Sequence, residues 1–258
     1  EQRFSPSTRN QALSALLFLY REVLDKADQW PTDLAWAKRP PSPPLVLTRK
    51  EVNLLLAHTD GVQSLMAKLL YGTGMRLMEC VSLRIRDIDF QANRIHVRNA
   101  RGDDERDTLL PESLVDSLKT QIAKVQVLHE QDRLSGGGAT TLPQDTADRE
   151  SKLKETEWQY LFAARKLSQD SETGESIRHH VDEKSLQRAI KRAAKDSGLG
   201  KNATPHTFRH SFALHLLEDG YDVHIVQELL GHKDISSTMV YMQLISHDRL
   251  GVKSPLDP

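Results

Sequence analysis

Apolar residues recur at helical spacing over residues 9–26 (RNQALSALLFLYREVLDK), with no breaker among them, and this predicts one amphipathic helix. Five prolines follow between Trp30 and Leu45 (Pro31, Pro40, Pro41, Pro43 and Pro44). Proline fixes φ and removes a donor, so this stretch reads as an extended linker. Thr48 and Glu51 then fit a capping box ahead of VNLLLAH. Helices are expected at 61–71 and 76–83, on either side of Gly72-Thr73-Gly74. From 84 to 110 the period falls to two. Ile85, Ile88, Phe90, Ile95, Val97 and Leu109 predict three short strands, joined by turns at 91–93 and 101–105. A long helix is expected at about 112–133, a flexible loop at Gly136-Gly137-Gly138, and a polar, irregular stretch at 140–178 with one apolar knot from Trp158 to Phe162. Residues 183–247 read as four helices broken at Gly198/Gly200, Gly220 and Gly231.

The expected fold class is therefore mainly α with a small antiparallel β-sheet (α+β). A boundary near residue 45 separates residues 1–45 from 46–258. The first part holds one helix, too little for a core of its own, and reads as the remnant of a larger helical N-terminal domain. The chain has 258 residues, enough to bury a sizeable core. Its lone Cys80 excludes a disulfide framework and points to a reducing, cytoplasmic setting. No apolar run of about 18 residues is present, so no membrane span is expected.

A formal net charge of −1 excludes a uniformly basic coat, but charge is placed unevenly. Residues 178–209 hold eight Lys/Arg against three acids, and residues 145–175 hold five against eight. Arg188, Lys191, Arg192 and Lys195 fall at spacings of three and four on one helix face. Such a face is either simply solvated or a contact for phosphates.

Candidate chemistry lies in four places. In Gly72-Thr73-Gly74-Met75-Arg76-Leu77-Met78-Glu79, Arg76 is expected in the first turn of a helix, with Glu79 three residues on to steady a cationic partner. In Pro205-His206-Thr207-Phe208-Arg209-His210, the guanidinium of Arg209 offers a planar fork for two phosphate oxygens, and His206 can donate to the same group. At Leu229-Leu230-Gly231-His232, a left-handed glycine would end a helix and present His232. Tyr241 follows nine residues later. A phenol is a weak nucleophile at its free pKa of about 10, and nearby cations would make it useful. Each piece alone has an ordinary structural explanation; the joint order T-G-x-R-x-x-E, H-x-x-R-H, L-G-H and Tyr does not.

That order resembles the tyrosine recombinase (phage-integrase-like) family over residues 46–245. It is most similar to the integron integrases, on three features. These are the long insert at about 134–182, Arg178-His179-His180 followed by SLQRAIKRA, and the ending GVKSPLD. The resemblance implies a catalytic domain that cleaves and rejoins DNA strands without metal or cofactor. Tyr241 would form a 3′-phosphotyrosine and expel a 5′-hydroxyl. Arg76 and Arg209 would hold the non-bridging oxygens, His206 and His232 would assist proton movement, and Glu79 would support them. Partners would be duplex DNA, folded single-stranded attachment sites, and further copies of the chain in a synaptic tetramer, to which the 246–258 tail would dock. The subfamily moves gene cassettes. DNA contacts would come from Arg178, His179, His180, Arg188, Lys191 and Arg192, with Trp158 and Tyr160 as stacking surfaces for protruding bases. Alternatively, Trp158, Leu161 and Phe162 anchor the insert to the core.

Two departures from the family pattern stand out. The family's hairpin lysine is replaced by Arg101, a poor proton donor at neutral pH, so slow cleavage is expected. Only residues 1–40 correspond to the family's N-terminal clamp, so weak, salt-sensitive DNA binding is expected. The rivals are a metal hydrolase built on His179, His180, His206, His210 and His215, a type IB topoisomerase, and a DNA-binding protein with a decayed site. The histidine spacing forms no recognised zinc signature.

Overall fold

The computed structural model describes residues 4–26, 35–37, 43–98, 105–143, 146–170 and 174–245. The chain divides into two compact units between Pro43 and Pro44.

In the first unit, Ser5 caps helix α1 (Pro6–Phe18) by accepting from the Thr8 amide, and Pro6 takes the first helical position. A wide π-type turn, Leu19–Val23, continues it. The side chain of Asn10 brackets Ala37, donating to its carbonyl at 3.0 Å and accepting from its amide at 2.8 Å.

The second unit opens on helix α2 (Arg49–Ala57), and the expected capping box is formed there: Thr48 Oγ1 accepts from the Glu51 amide while Glu51 accepts from the Thr48 amide at 2.8 Å. Thr48→Ala is expected to lower stability by about 1 kcal/mol, read by urea unfolding. An unchanged midpoint would contradict the cap's contribution.

Helix α3 (Gly61–Thr73) lies at the centre of the core, with Leu65, Met66, Ala67, Leu69 and Leu70 all buried. It ends at Gly74, which adopts φ +67°. A Cβ there would meet the Phe212 ring at 2.5 Å and Leu230 at 2.9 Å, so both the backbone conformation and the close packing call for glycine. Helix α4 (Leu77–Val81) is shorter than expected. Arg76 is its cap rather than part of its first turn, with ψ 157° and its amide donating to Glu79 Oε2 at 2.7 Å.

Strands β1 (Ile88–Asp89), β2 (Arg94–Val97) and β3 (Arg106–Leu109) form an antiparallel sheet in that order, and Ile85–Asp87 is a 3-10 turn. The register pairs Ile95 with Thr108. Thr108 therefore shares the buried face and donates to the Thr73 carbonyl at 2.9 Å, whereas Leu109, expected inside, is 46% exposed. A one-residue shift moves a side chain to the other face of a strand.

Helix α5 (Val115–Leu134) leads into the insert, which is more ordered than its polar composition predicts. It carries a short helix α6 (Arg149–Lys152) and a hairpin of β4 (Ser168–Gln169) and β5 (Ser176–Ile177). Among the described residues four helices follow, as the sequence leads one to expect: α7 (Glu183–Asp196), α8 (Pro205–Glu218), α9 (Val223–Leu230) and α10 (Ser236–Met242). The architecture is mostly helical with small antiparallel sheets. One apolar cluster joins α2–α5 to the sheet and α7; a second joins α8, α9 and α10; Tyr71 packs against both. No helix among the described residues is long and apolar enough to cross a membrane.

Candidate active site

Arg209 leaves α8 into the seam between the two clusters and is 4% exposed. It donates from Nη1 to the Gly74 carbonyl at 2.6 Å and from Nη2 to the Leu230 carbonyl at 2.7 Å. Arg76 approaches the same turn, its Nη2 donating to the Gly231 carbonyl at 3.3 Å. Two guanidiniums from segments 133 residues apart in the sequence thus meet at consecutive carbonyls. Gly231, at φ 63° and ψ 48°, makes the left-handed turn that permits it. Burial, then repulsion from Arg76 and Arg106, lowers the Arg209 pKa to about 10, so it stays charged at neutral pH.

Glu79 holds this arrangement together. It receives Arg76 Nη1 at 2.7 Å, Arg106 Nη1 at 3.0 Å and Arg106 Nη2 at 2.7 Å. Burial by itself would raise its pKa, but the Arg106 bonds and charge, then the bonds from Arg76, outweigh that and bring it down to about 2. Arg106, at the start of β3, also donates Nε to the Leu229 carbonyl at 2.9 Å. One carboxylate therefore links the sheet, the α4 cap and the end of α9.

Three histidines surround this charge. His206 is exposed at the start of α8, and its ring stacks on His210 with centroids 6.3 Å apart, the i, i+4 spacing of one helix face. Burial, then Arg209 and Arg76, lowers its pKa. His232 follows the Gly231 turn, and its Nδ1 lies 2.9 Å from Thr238 Oγ1. Burial, followed by repulsion from Arg209, Arg76 and Arg106, brings His232 down to about 4. Tyr241 of α10 is 3% exposed, and its Oη lies 2.7 Å from His210 Nδ1. Burial raises the phenol's pKa against the pull of Arg209.

Arg76, Glu79, His206, Arg209, His232 and Tyr241 thus gather around one turn. Sequence reasoning gave no role to Arg106 or to His210 beyond its place among the rival metal ligands. The i, i+4 spacing of His206 and His210 was a usable signal for the second; nothing local marked the first. Arg101, and the tail from residue 246, lie outside the described residues. Glu105, in the same hairpin, is engaged by His96 and Arg98 at 3.0 and 3.3 Å.

Of the two readings of the insert, burial favours the anchoring of Trp158, Leu161 and Phe162 over stacking surfaces at Trp158 and Tyr160. Trp158 is 5% exposed and Tyr160 is 7% exposed, so neither offers a free stacking face. Arg86 lies 4.0 Å above the Trp158 ring and Arg84 lies 4.3 Å above Tyr160, whose hydroxyl bonds Thr141 at 2.7 Å. These cation–π contacts and the burial of Leu161 and Phe162 pin the insert to the core. Arg178, expected at DNA, is also buried: it pairs with Asp132 through Nε and Nη2 and donates to the Ala164 carbonyl at 2.6 Å. A buried guanidinium needs such a partner, and this one closes the insert onto α5. His179 and His180 are half-buried, and His180 Nδ1 donates to the Val181 carbonyl at 2.8 Å. Arg188, Lys191 and Arg192 are exposed on α7, opposite its buried Leu186, Ala189, Ile190 and Ala193. A cavity of about 610 Å³ joins the two regions, with Arg76, Glu79 and His232 on its lining together with Arg84, Tyr160 and His180.

The histidines of the metal-hydrolase alternative do not converge: His215 bonds Tyr71 at 2.9 Å, away from His206 and His210. Among the described residues, no group of three or more His, Cys, Asp or Glu side chains could hold a metal ion.

Residues 46–247 match the phage integrase family. An integrase/recombinase of Escherichia coli is 42% identical over 265 residues, covering 100% of this chain and 77% of that protein. Tyrosine recombinase XerA of Pyrococcus horikoshii is 30% identical over 208 residues, covering 80% of this chain and 59% of that protein. The crystal structure of XerA recombinase superposes with a TM-score of 0.57 at 27% identity, covering 96% of this chain and 75% of that one. A post-cleavage complex of XerH site-specific recombinase, at 20% identity, shares the fold with a TM-score of 0.62, covering 96% of this chain and 66% of that one. The chain belongs to the phage integrase family of tyrosine recombinases.

Proposed function

We propose that the chain is a site-specific DNA recombinase in which Tyr241 attacks a backbone phosphate, forms a 3′-phosphotyrosine and releases a 5′-hydroxyl. The observation that carries this reading is the meeting of Arg76 and Arg209 at the Leu230–Gly231 carbonyls, with His232 in the same turn and Tyr241 one residue behind them through His210. Charge grows on the non-bridging oxygens in the transition state, and fixed guanidiniums aimed at them lower its energy. His206 and His232 contact the phosphate, while Glu79 and Arg106 are positioning residues. The phosphotyrosine conserves the bond energy, so a hydroxyl from a second strand can displace it.

More narrowly, the reading extends to the excision and integration of integron gene cassettes, by a synaptic tetramer on duplex and folded single-stranded sites. The length and order of the insert, and its cavity shared with the arginine site, support it. The exposed face of Arg188, Lys191 and Arg192 suits backbone phosphates, and His180 lines the cavity beside the half-buried His179. Because Trp158, Tyr160 and Arg178 are occupied within the insert, any protruding base would be received by the half-buried histidines instead.

Incubation with folded hairpin DNA and with the corresponding linear duplex tests both levels. A covalent adduct that forms on the hairpin at least about tenfold faster supports the cassette reading. Equal or faster capture of the duplex supports the broader reading and overturns the narrower. Capture of neither favours the decayed, DNA-binding alternative.

A further inference from the structure

His210 makes the closest polar contact to the Tyr241 hydroxyl among the described residues. Its Nδ1 lies 2.7 Å from Tyr241 Oη, with ring centroids 5.7 Å apart and planes at 46°. The phenol makes no other hydrogen bond among the described residues, so with the His210 proton on Nε2 the phenol donates to Nδ1 and its proton has one recipient. The two groups come from different helices, α8 and α10, which pack through the second apolar cluster. This fixes the pair by tertiary structure rather than by chance rotamers.

We propose that His210 is the base that receives the phenol proton of Tyr241 during strand cleavage, and that it returns the proton when the phosphotyrosine is displaced. This rests on the strand-cleavage reading above. As Tyr241 Oη bonds to phosphorus, its proton passes to His210 Nδ1. The bond from phosphorus to the 5′-oxygen breaks, and that oxygen takes a proton from water. In the reverse step a DNA 5′-hydroxyl attacks phosphorus and loses its proton to water, while the tyrosine oxygen leaves and recovers its own from His210.

The surroundings suit this role. The groups facing His210 are His206 and Arg209 on its own helix, Tyr241 on α10, and His232 from the turn after α9. Burial, then His206 when protonated and the cation Arg209, lowers its pKa to about 4, so the imidazole is neutral and ready to accept. A bound phosphodiester brings a negative charge beside Arg209 and Arg76. That offsets their repulsion, so a histidinium is tolerated once the ester has formed. The phenol's acidity rises as its oxygen bonds to phosphorus, and a modest base suffices at that moment. The division of labour follows: His206 and His232 serve the phosphate, and His210 serves the nucleophile.

His210→Asn separates proton transfer from positioning, because the amide oxygen stands near the place of Nδ1 and still accepts the phenol's hydrogen bond but takes no proton. The substrate is a nicked duplex selected from a randomised pool by covalent capture on the parent protein. The variant is expected to bind this DNA as the parent does and to cleave it about 10²-fold more slowly in a single turnover. Its rate should climb about tenfold per pH unit between roughly pH 6 and 9, as the phenol ionises to solvent, while the parent's stays flat. Should the asparagine variant melt early, His210→Gly with added imidazole replaces it, and the expected result is recovery of cleavage with imidazole. A variant that cleaves as fast as the parent, or slowly with a flat profile, overturns the inference, as does a glycine variant that imidazole does not restore. A parent that captures no DNA at all overturns the strand-cleavage reading and this inference with it.

Discussion

Arg209→Lys is expected to slow strand cleavage by about 10²–10³-fold while shifting DNA affinity much less. A guanidinium has five N–H donors in a rigid fork. Two of them are committed to the Gly74 and Leu230 carbonyls, at 2.6 and 2.7 Å. Those bonds set the plane of the group, so its remaining donors are fixed before substrate arrives. Lysine keeps the charge but has no fork. It can satisfy the carbonyls or the phosphate, not both in the required plane. The loss therefore falls on the transition state, where charge on the phosphate oxygens is greatest. Single-turnover cleavage at saturating protein reads it, with anisotropy for binding. A rate within about threefold of the parent would show that Arg209 is a structural strut and not a phosphate ligand.

Glu79→Gln is expected to destabilise the fold by on the order of 3–5 kcal/mol, because it strands Arg106 in a buried place. The Arg106 side chain is only 10% exposed, and Glu79 is its carboxylate partner. The same pair dictates how stability responds to acid. The carboxyl titrates at about 2 in the folded chain against an ordinary value of 4.5, so the unfolded chain binds the proton first. The stabilisation is complete above about pH 4.5 and is lost as pH falls towards 2. His210 and His232 add an earlier phase. Both are lowered to about 4 from 6.5, so the unfolded chain gains protons at milder acidity and stability begins to decline below about pH 6.5. Denaturant unfolding of the parent from pH 7 to pH 3 should show both phases. The Glu79→Gln protein should keep the first and lose most of the second. Unchanged stability in that variant at pH 7 would contradict the role assigned to the carboxylate.

What the sequence made legible was local. The capping box at Thr48, the glycine that ends α9, the four C-terminal helices and the grouping of Arg76 with Glu79 all follow from spacings of a few residues. The misplaced features depend on closure over distance. Leu109 faces out and Thr108 faces in because pairing with Ile95 sets the register, and short strands carry too few residues to reveal it. Arg106 joins Glu79 across 27 residues and Leu229 across 123, so no local pattern announces it. In sequence, Trp158 suits a stacking surface and a core anchor equally, and the matter is decided by Arg84 and Arg86, which come from before the sheet to cover Tyr160 and Trp158. The candidate site was more legible than the insert because its residue types are chemically unusual together, whereas aromatic and basic residues serve anchoring and binding equally well.

The most direct measurement is to digest the protein after reaction with a nicked DNA substrate and to identify the peptide that carries the nucleotide by mass spectrometry. The expected result is a single modified peptide bearing the 3′-phosphate of the cleaved strand on the oxygen of Tyr241, and none from the Tyr241→Phe protein. A nucleotide attached to any other side chain, or an adduct that survives the loss of that hydroxyl, would contradict the account.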